Sequence, residues 1–173
     1  DLGWGLSQAV SESVSDAFGE RIKLPDEIYF PIDAGFDGKS NNKGIYVWES
    51  NGKKVGVNAY VQESMGAVSS DDEPTPEEIT KIQEALFLPM TDEASRILED
   101  KVVKKPRDID LALIIGAGYP PFRGGLLRSA DKMGIDHVIE GLERIYSDKN
   151  PRREISNSLR EMHNIGRKFY SLS

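Results

Sequence analysis

The feature that most constrains the fold is a long apolar stripe behind a strong helix-start signal. The start, Thr75 to Glu78, combines a capping hydroxyl, a proline at the first helical position and a glutamate placed to complete a capping box. The apolar residues that follow recur at spacings of three and four: Ile79, Ile82, Ala85, Leu86, Met90, Ala94, Ile97 and Leu98. This spacing predicts an amphipathic helix with a kink at Pro89, because proline removes an internal hydrogen bond.

Five further segments carry the same helical spacing, and they surround one irregular stretch. The five are residues 6–18, 106–115, 126–133, 138–146 and 155–165. Gly116 to Gly125 is predicted to be a rigid loop, because it holds four glycines and two prolines. Residues 44–49 form a β-branched and aromatic run, which Asn51-Gly52 should end, and predict a short extended segment. The predicted fold is therefore mostly α, with one short extended segment.

The chain divides at its most polar and structure-breaking stretch, residues 64–74, which is typical of a linker. The two parts on either side share a pattern. Residues 1–4 before the first helix parallel residues 131–135, and residues 38–46 parallel residues 166–170. Either the chain carries an internal repeat with a period of about 130 residues, or short glycine and aromatic motifs coincide by chance.

Charge and composition exclude several functional classes. With 22 basic and 29 acidic residues the chain has a net charge of −7, which does not suit a nucleic-acid binder. Without cysteines it can form no disulfide, thiolate zinc site or iron–sulfur cluster. Its longest apolar run, Leu111 to Ile115, is far shorter than the roughly 20 residues of a transmembrane helix. A local basic cluster is either a solvated helix end or a site for an anionic headgroup or partner: Lys101, Lys104, Lys105 and Arg107.

Two possible catalytic features lack the residues that their chemistry needs. The run 111–115 followed by Gly116-Ala117-Gly118 imitates the strand and glycine turn of a dinucleotide-binding unit, but Pro121 stands where a small residue is needed. His137 and His163 lie on different predicted helices and lack the spacing of metal ligands. We therefore predict no catalytic, cofactor-binding or metal-binding residue.

The predicted packing or interaction site is the apolar part of the loop, whose residues are Tyr119, Pro120, Pro121, Phe122 and Arg123. Its two prolines reduce the entropy that is lost when the loop is fixed against another surface. That surface is either the core of its own domain or a partner protein.

The segment Pro106 to Arg128 closely resembles the C-terminal domain of 3-hydroxyacyl-CoA dehydrogenases. Within that family it resembles the multifunctional fatty-acid β-oxidation enzymes, which share the sequence Pro-Pro-Phe-Arg-Gly-Gly of residues 120–125. Residues 88–94 match the family's proline-containing helix. Residues 38–46 resemble its closing Gly-Lys-Gly-x-Gly-Phe-Tyr motif, with Asn41 and Asn42 as departures.

This resemblance implies tandem helical domains without the family's Rossmann domain. Residues 1–62 would be the back half of the first C-terminal helical domain, residues 63–74 a linker and residues 75–173 a complete second domain that packs on the first. By alignment to Pro89, Glu84 stands where the family has a catalytic or substrate-contacting asparagine in the first copy, and the resemblance implies that the family's catalytic His-Glu pair lies outside this sequence. The fragment would then support dimer-like packing and the acyl-CoA cleft, and be inactive alone.

The resemblance also implies the cofactor and partners of a parent enzyme. The parent would be an NAD-dependent 3-hydroxyacyl-CoA dehydrogenase fused to an enoyl-CoA hydratase, with NAD bound outside this fragment. Its partners would be the Rossmann and hydratase domains, a thiolase subunit and acyl-CoA, in the bacterial or archaeal cytoplasm or in a mitochondrial or peroxisomal matrix. The alternative is a free-standing protein-interaction domain that uses the loop Tyr119 to Arg123. Because the sequence starts at Asp1 rather than Met, we expect a processed product or an expressed fragment.

Overall fold

A computed structural model describes residues 3–24, 34–64, 66, 73–148 and 153–170. The chain forms two compact units, Asp1–Glu73 and Pro74–Ser173. The described residues contain seven α-helices and one two-stranded sheet, which confirms the predicted mostly α fold. None of these helices is both long and apolar enough to cross a membrane. Most of the predicted linker lies outside the described residues.

The first unit contains one long helix, a hairpin and one short helix. Helix α1 spans Trp4–Phe18 and ends at Gly19, whose φ of +73° is a conformation that glycine readily adopts. Strands β1 (Tyr46–Trp48) and β2 (Lys54–Val57) pair antiparallel, and helix α2 follows at Ala59–Ser64.

Strand β2 was not predicted from the sequence. The extended segment ends before Asn51-Gly52 as expected, and this turn also joins β1 to a second strand. Every residue of β2 is exposed, so the strand has no buried face, and its two alternating valines, Val55 and Val57, are too short a pattern to identify a strand.

A tight turn at residues 38–43 contains Asn41 and Asn42, the two residues that depart from the resembled motif. Gly38 and Lys43 exchange two backbone hydrogen bonds, of 2.7 and 2.9 Å. Asn42 adopts a left-handed conformation with φ +61°, which asparagine tolerates better than most residues other than glycine. Its Oδ1 also accepts a hydrogen bond from the backbone N–H of Trp48. The asparagine therefore preserves the turn.

The described residues of the second unit form five α-helices. They are α3 (Pro76–Glu99), α4 (Pro106–Gly116), α5 (Leu126–Met133), α6 (Ile135–Asp148) and α7 (Asn157–Asn164). The predicted capping box is present, because Thr75 Oγ1 accepts from the Glu78 N–H and Glu78 Oε2 accepts from the Thr75 N–H. Helix α3 continues through Pro89, so the proline does not end it.

Helix α3 is the centre of the second unit, since it packs against α5, α6 and α7. Gly141 of α6 lets α3 and α6 approach closely, because a Cβ there would lie 2.3 Å from Leu88 Cδ1.

The core of the second unit has two clusters of buried apolar residues. One cluster comprises Leu88, Ala130, Ile135, Val138, Ile139, Leu142, Tyr146, Ile155, Leu159 and Met162. The other comprises Ala94, Ile109, Tyr119, Leu126 and Leu127. Phe169 packs against both clusters and so joins them.

Candidate interaction site

The loop between α4 and α5 begins as part of the core. Gly118 has a φ of +71°, and the N–H of Tyr119 donates to the carbonyl of Leu113 at 3.0 Å. The Tyr119 side chain is 5% exposed, and its ring meets the ring of Phe87 edge-on with centroids 5.5 Å apart. Its hydroxyl lies 3.3 Å from Ser129 Oγ. Tyr119 therefore anchors the loop to its own domain.

The second half of the loop turns outward. Pro120 is half-buried, and Pro121–Arg123 forms an exposed 3₁₀ turn. Phe122 is 86% exposed. The guanidinium of Arg123 lies over the Phe87 ring at 5.9 Å, and its Nη2 donates to Gln83 Oε1 at 3.4 Å. The sequence left open whether the loop packs against its own core or against a partner protein. Tyr119 packs in the core, whereas Phe122 is exposed. The use of this loop as an interaction site stays a prediction.

A groove of about 640 Å³ runs between α3 and this loop. Its apolar lining consists of Phe87, Leu88, Tyr119, Phe122, Leu126 and Met133. Its polar lining consists of Thr80, Gln83, Glu84, Thr91, Arg123, Ser129, Lys132 and His137. A concavity that combines apolar side chains with several polar groups suits a binding or packing role.

Glu84 in this groove is already held by two partners. Its carboxylate lies 2.9 Å from His137 Nε2 and accepts from Arg144 Nη2 at 2.7 Å. The Glu84 side chain is 15% exposed, whereas those of His137 and Arg144 are about half exposed. The side chain at position 84 is therefore a carboxylate already paired with Arg144.

Helix α3 also has an apolar stripe that is exposed to solvent. Ile79, Ile82, Leu86 and Met90 recur at helical spacing and are 37 to 59% exposed. On the other side of the helix Leu88, Thr91 and Ser95 are fully buried. The helix therefore has one face in the core of its unit and a second apolar face that is exposed.

Asp110 on α4 fixes the end of the loop. Its Oδ1 accepts from the Leu127 N–H at 2.8 Å, and its Oδ2 accepts from the Arg128 N–H at 3.3 Å. This carboxylate caps α5, whose own N-cap, Gly125, offers no side chain. A Cβ at Gly125 would lie 2.2 Å from Asp110 Cγ, and φ there is +120°. Only glycine lets α4 and α5 come this close.

The C-terminal segment closes over the same carboxylate. The Tyr170 hydroxyl donates to Asp110 Oδ2 at 2.6 Å, while the N–H groups of Phe169 and Tyr170 donate to Asp131, both at 2.8 Å. The Arg128 guanidinium covers the Tyr170 ring at 4.1 Å. Burial and the hydrogen bond to Asp110 raise the pKa of Tyr170 well above its ordinary value.

A third buried carboxylate, Asp92, joins α3 to the start of α7. It accepts from the Tyr146 hydroxyl at 2.9 Å and from the Ser156 N–H at 2.8 Å. Burial is the main cause that raises the pKa of Tyr146, and the negative charge of Asp92 raises it further. Sequence reasoning gave Asp92, Asp110 and Asp131 no role, although Asp92 and Asp110 stood within segments that resembled the family.

The described residues do not fit a dinucleotide. Residues 111–116 belong to α4, so Gly116-Ala117-Gly118 follows a helix and not the buried strand that the motif requires. The one sheet among the described residues is an antiparallel hairpin. The same residues hold no group of three histidine or acidic side chains that could bind a metal ion. His163 Nδ1 lies 2.9 Å from a single carboxylate, that of Asp136.

Comparison with known proteins identifies one family and several longer relatives that this chain resembles. Residues 82–170 match the family described as 3-hydroxyacyl-CoA dehydrogenase, C-terminal domain. The fatty acid oxidation complex subunit alpha of Shewanella loihica is 32% identical over 171 residues, which is 98% of this chain and 24% of that protein. That of Idiomarina loihiensis is 29% identical over 172 residues, 98% of this chain and 23% of its own length. The peroxisomal fatty acid beta-oxidation multifunctional protein of Oryza sativa is 32% identical over 154 residues, 84% of this chain and 21% of that protein.

Proposed function

The chain belongs to the family of 3-hydroxyacyl-CoA dehydrogenase C-terminal domains, and from this we propose that it is the scaffold region of a multifunctional fatty-acid β-oxidation enzyme. The chain spans about a quarter of the curated relatives it matches, over their C-terminal portion. The proposed parent oxidises 3-hydroxyacyl-CoA to 3-ketoacyl-CoA while NAD⁺ is reduced to NADH and a proton is released.

The exposed apolar stripe of α3 is the observation that carries this proposal. Four large apolar residues form this stripe on a helix whose buried residues begin only at Leu88, and such a stripe suits burial against a further helical surface. In the proposed parent, that surface is a preceding copy of the helical domain. The second unit would then contribute packing and hold the shape of the acyl-CoA cleft without touching the reacting atoms.

The fragment is proposed to be inactive alone. His137 and His163 are exposed, and the described residues place no nucleotide-binding domain beside either of them. The Glu84 carboxylate already accepts from Arg144 and contacts His137. Hydride transfer would need a nucleotide-binding domain, and the described residues do not provide one.

An activity assay tests this proposal. We expect the chain to leave NADH absorbance unchanged when it is incubated with acetoacetyl-CoA. Fusion behind a family Rossmann domain and a first helical copy should produce turnover. Turnover by the chain alone at the rate of a full-length dehydrogenase would show that the scaffold proposal is wrong.

The α3 stripe can be tested in the same fusion. Leu86→Lys places a charge in the proposed packing surface and should lower both turnover and the unfolding temperature of the fusion, while the isolated chain unfolds as before. Ser147→Lys on α6 is the matched control, since residue 147 is exposed and outside the stripe. Equal losses in the two variants would contradict a packing role for the stripe.

The same proposal extends to the other parts of the parent. NAD would bind in the Rossmann domain, and an enoyl-CoA hydratase domain would supply the 3-hydroxyacyl-CoA. A thiolase subunit would consume the ketoacyl product. The compartment would be the cytoplasm in a bacterium, or a peroxisomal or mitochondrial matrix in a eukaryote; the relatives include bacterial complexes and a plant peroxisomal protein.

A second candidate function rests on Phe122. At 86% exposure, this ring at the edge of the groove suits a free-standing interaction domain with a protein partner. Binding of a thiolase subunit to the wild-type chain and to Phe122→Ala tests a binding role for this ring, with Val102→Ala as the control because Val102 is 71% exposed and outside the loop. At least ten-fold weaker binding of Phe122→Ala alone supports that role, and equal binding argues against it.

A further inference from the structure

The fold brings together basic side chains that lie far apart in the sequence. Lys104 comes from the loop between α3 and α4, whereas Arg167 and Lys168 follow α7, and all three line one concavity of about 260 Å³. The sequence indicated only the first of these, as part of the cluster 101–107. The second unit alone forms this concavity, so a ligand site there does not depend on the proposed function.

The segment that carries Arg167 and Lys168 is held on both sides. The N–H of Arg167 donates to the carbonyl of Met162 at 2.8 Å, and the N–H of Phe169 donates to Asp131 at 2.8 Å. These two bonds fix the backbone around both cations. A ligand would therefore meet side chains on an already ordered backbone, which lowers the entropy cost of binding.

The other walls of the concavity are apolar or acidic. Its apolar part is Leu98, Pro106, Met162, Ile165 and Phe169. Glu99 and Glu161 also line it, and Glu99 Oε2 accepts a hydrogen bond from the N–H of Ser158 at 3.4 Å. Three cations against two carboxylates leave a net charge of +1 in a chain whose overall charge is −7.

The loop beside Lys104 adds to this local charge. Lys101, Lys105 and Arg107 lie within three residues of it, and Arg107 is partly offset by Asp108 at 3.6 Å. Because salt screens charges beyond about 8 Å at physiological ionic strength, this local excess acts on a nearby ligand more than the distant acidic residues do.

We propose that this concavity is a binding site for the phosphate group of a phosphomonoester. A volume of about 260 Å³ lies below the roughly 300–1,000 Å³ of sites for drug-sized ligands, so it suits a compact group. A phosphomonoester carries close to two negative charges at neutral pH, and its three terminal oxygens accept charge-assisted hydrogen bonds from Lys and Arg. The group can come from a soluble metabolite or from a lipid headgroup.

The test is titration calorimetry on the whole chain with inorganic phosphate and with AMP, a soluble phosphomonoester. Cosedimentation with phosphatidylcholine vesicles, with and without phosphatidic acid, examines the lipid source. Lys104→Gln and Arg167→Gln remove two of the lining cations. Lys81→Gln removes the same charge from an exposed position on α3 outside the concavity and is the matched control.

Binding of AMP or of phosphatidic acid vesicles with a dissociation constant below about 1 mM is expected, and the arm that binds identifies the source. Each of the two lining variants should weaken binding at least ten-fold, about 1.4 kcal/mol, while Lys81→Gln binds as the wild type does. If Arg167→Gln unfolds, Lys104→Gln decides the question, since Lys104 is exposed on a loop. Absence of binding in both arms, or equal weakening by Lys81→Gln, would overturn the proposal.

Discussion

Val61 is the one buried apolar core residue among the described residues of the first unit, whereas the second unit buries fifteen. Helix α1 buries none of its residues, and both strands of the hairpin are largely exposed. In the second unit, two apolar clusters meet at Phe169 and three buried aspartates tie their helices together. Helices in water are stabilised mainly by packing rather than by their own hydrogen bonds. The second unit should therefore supply nearly all of the cooperative stability of the chain.

The largest expected difference comes from truncating one leucine in each unit. Leu142→Ala removes a fully buried side chain from the first core cluster and should lower the free energy of unfolding by about 2–5 kcal/mol. Leu6→Ala on α1, where the side chain is 55% exposed, should change it by less than about 0.5 kcal/mol. Urea unfolding followed by circular dichroism measures both. Similar losses would mean that the first unit has a core of its own.

A smaller effect is expected from the carboxylate that caps α5. Asp110→Ala removes the acceptor of three hydrogen bonds and leaves the Tyr170 hydroxyl unpaired, at a cost of about 2–3 kcal/mol. Asp108→Ala, two residues earlier on α4, removes an exposed carboxylate paired only with its neighbour and should cost no more than about 0.5 kcal/mol. Thermal unfolding of the two variants provides the comparison; an equal loss would show that the cap contributes little.

Alkaline pH should lower the free energy of unfolding of the second unit, because Tyr170 loses its proton. Because the folded state raises the pKa of this phenol, the folded chain holds its proton more tightly than the unfolded chain does. The stabilisation is fully present below the unfolded tyrosine pKa of about 10 and is lost as the pH rises above it. Tyr170→Phe should cost about 1 kcal/mol at neutral pH and flatten the alkaline decline. Urea midpoints measured on both sides of pH 10 give the result, and a decline of the same slope in Tyr170→Phe would contradict it.

The smallest expected effect concerns two residues, one in each unit, that have a left-handed backbone conformation. Lys101 ends α3 with φ +58°, and Asn42 turns the first unit with φ +61°. Lys101→Gly should stabilise the chain by about 0.5–1 kcal/mol, because lysine tolerates this conformation poorly. Asn42→Gly should gain nothing, since asparagine fits the conformation and its side chain accepts from the Trp48 N–H. Differential thermal unfolding measures both variants. If Asn42→Gly raises the unfolding temperature as much as Lys101→Gly does, the hydrogen bond from the Trp48 N–H to the Asn42 side chain contributes nothing to stability.

Features encoded locally were predictable from the sequence. The start of α3 depends on Thr75 and Glu78, three residues apart, and the end of α1 depends on Gly19. The loop 116–125 was recognisable because glycine and proline act on their own backbone. Such signals need no knowledge of the rest of the chain.

Features that depend on distant residues were not predictable. Asp92 meets Ser156 and Asp110 meets Tyr170 only after the helices have packed, and a single aspartate has no periodicity that marks it as buried. Strand β2 is wholly exposed, and its two alternating valines form too short a pattern to identify a strand. The loop Tyr119 to Arg123 was identified as a unit, but its division into an anchored tyrosine and an outward phenylalanine depends on Phe87, which lies on another helix.

The long spans of the aspartate contacts have a consequence during protein synthesis. Asp92 leaves the ribosome 64 residues before Ser156, and Asp110 leaves it 60 residues before Tyr170. At about 5–20 residues per second, Asp92 waits about 3–13 s for this partner. During that interval the buried face of α3 is already synthesised but has no α7 to cover it. A nascent chain of this design should be a client of ribosome-associated chaperones, and a pause in translation between α6 and α7 would prolong its exposure.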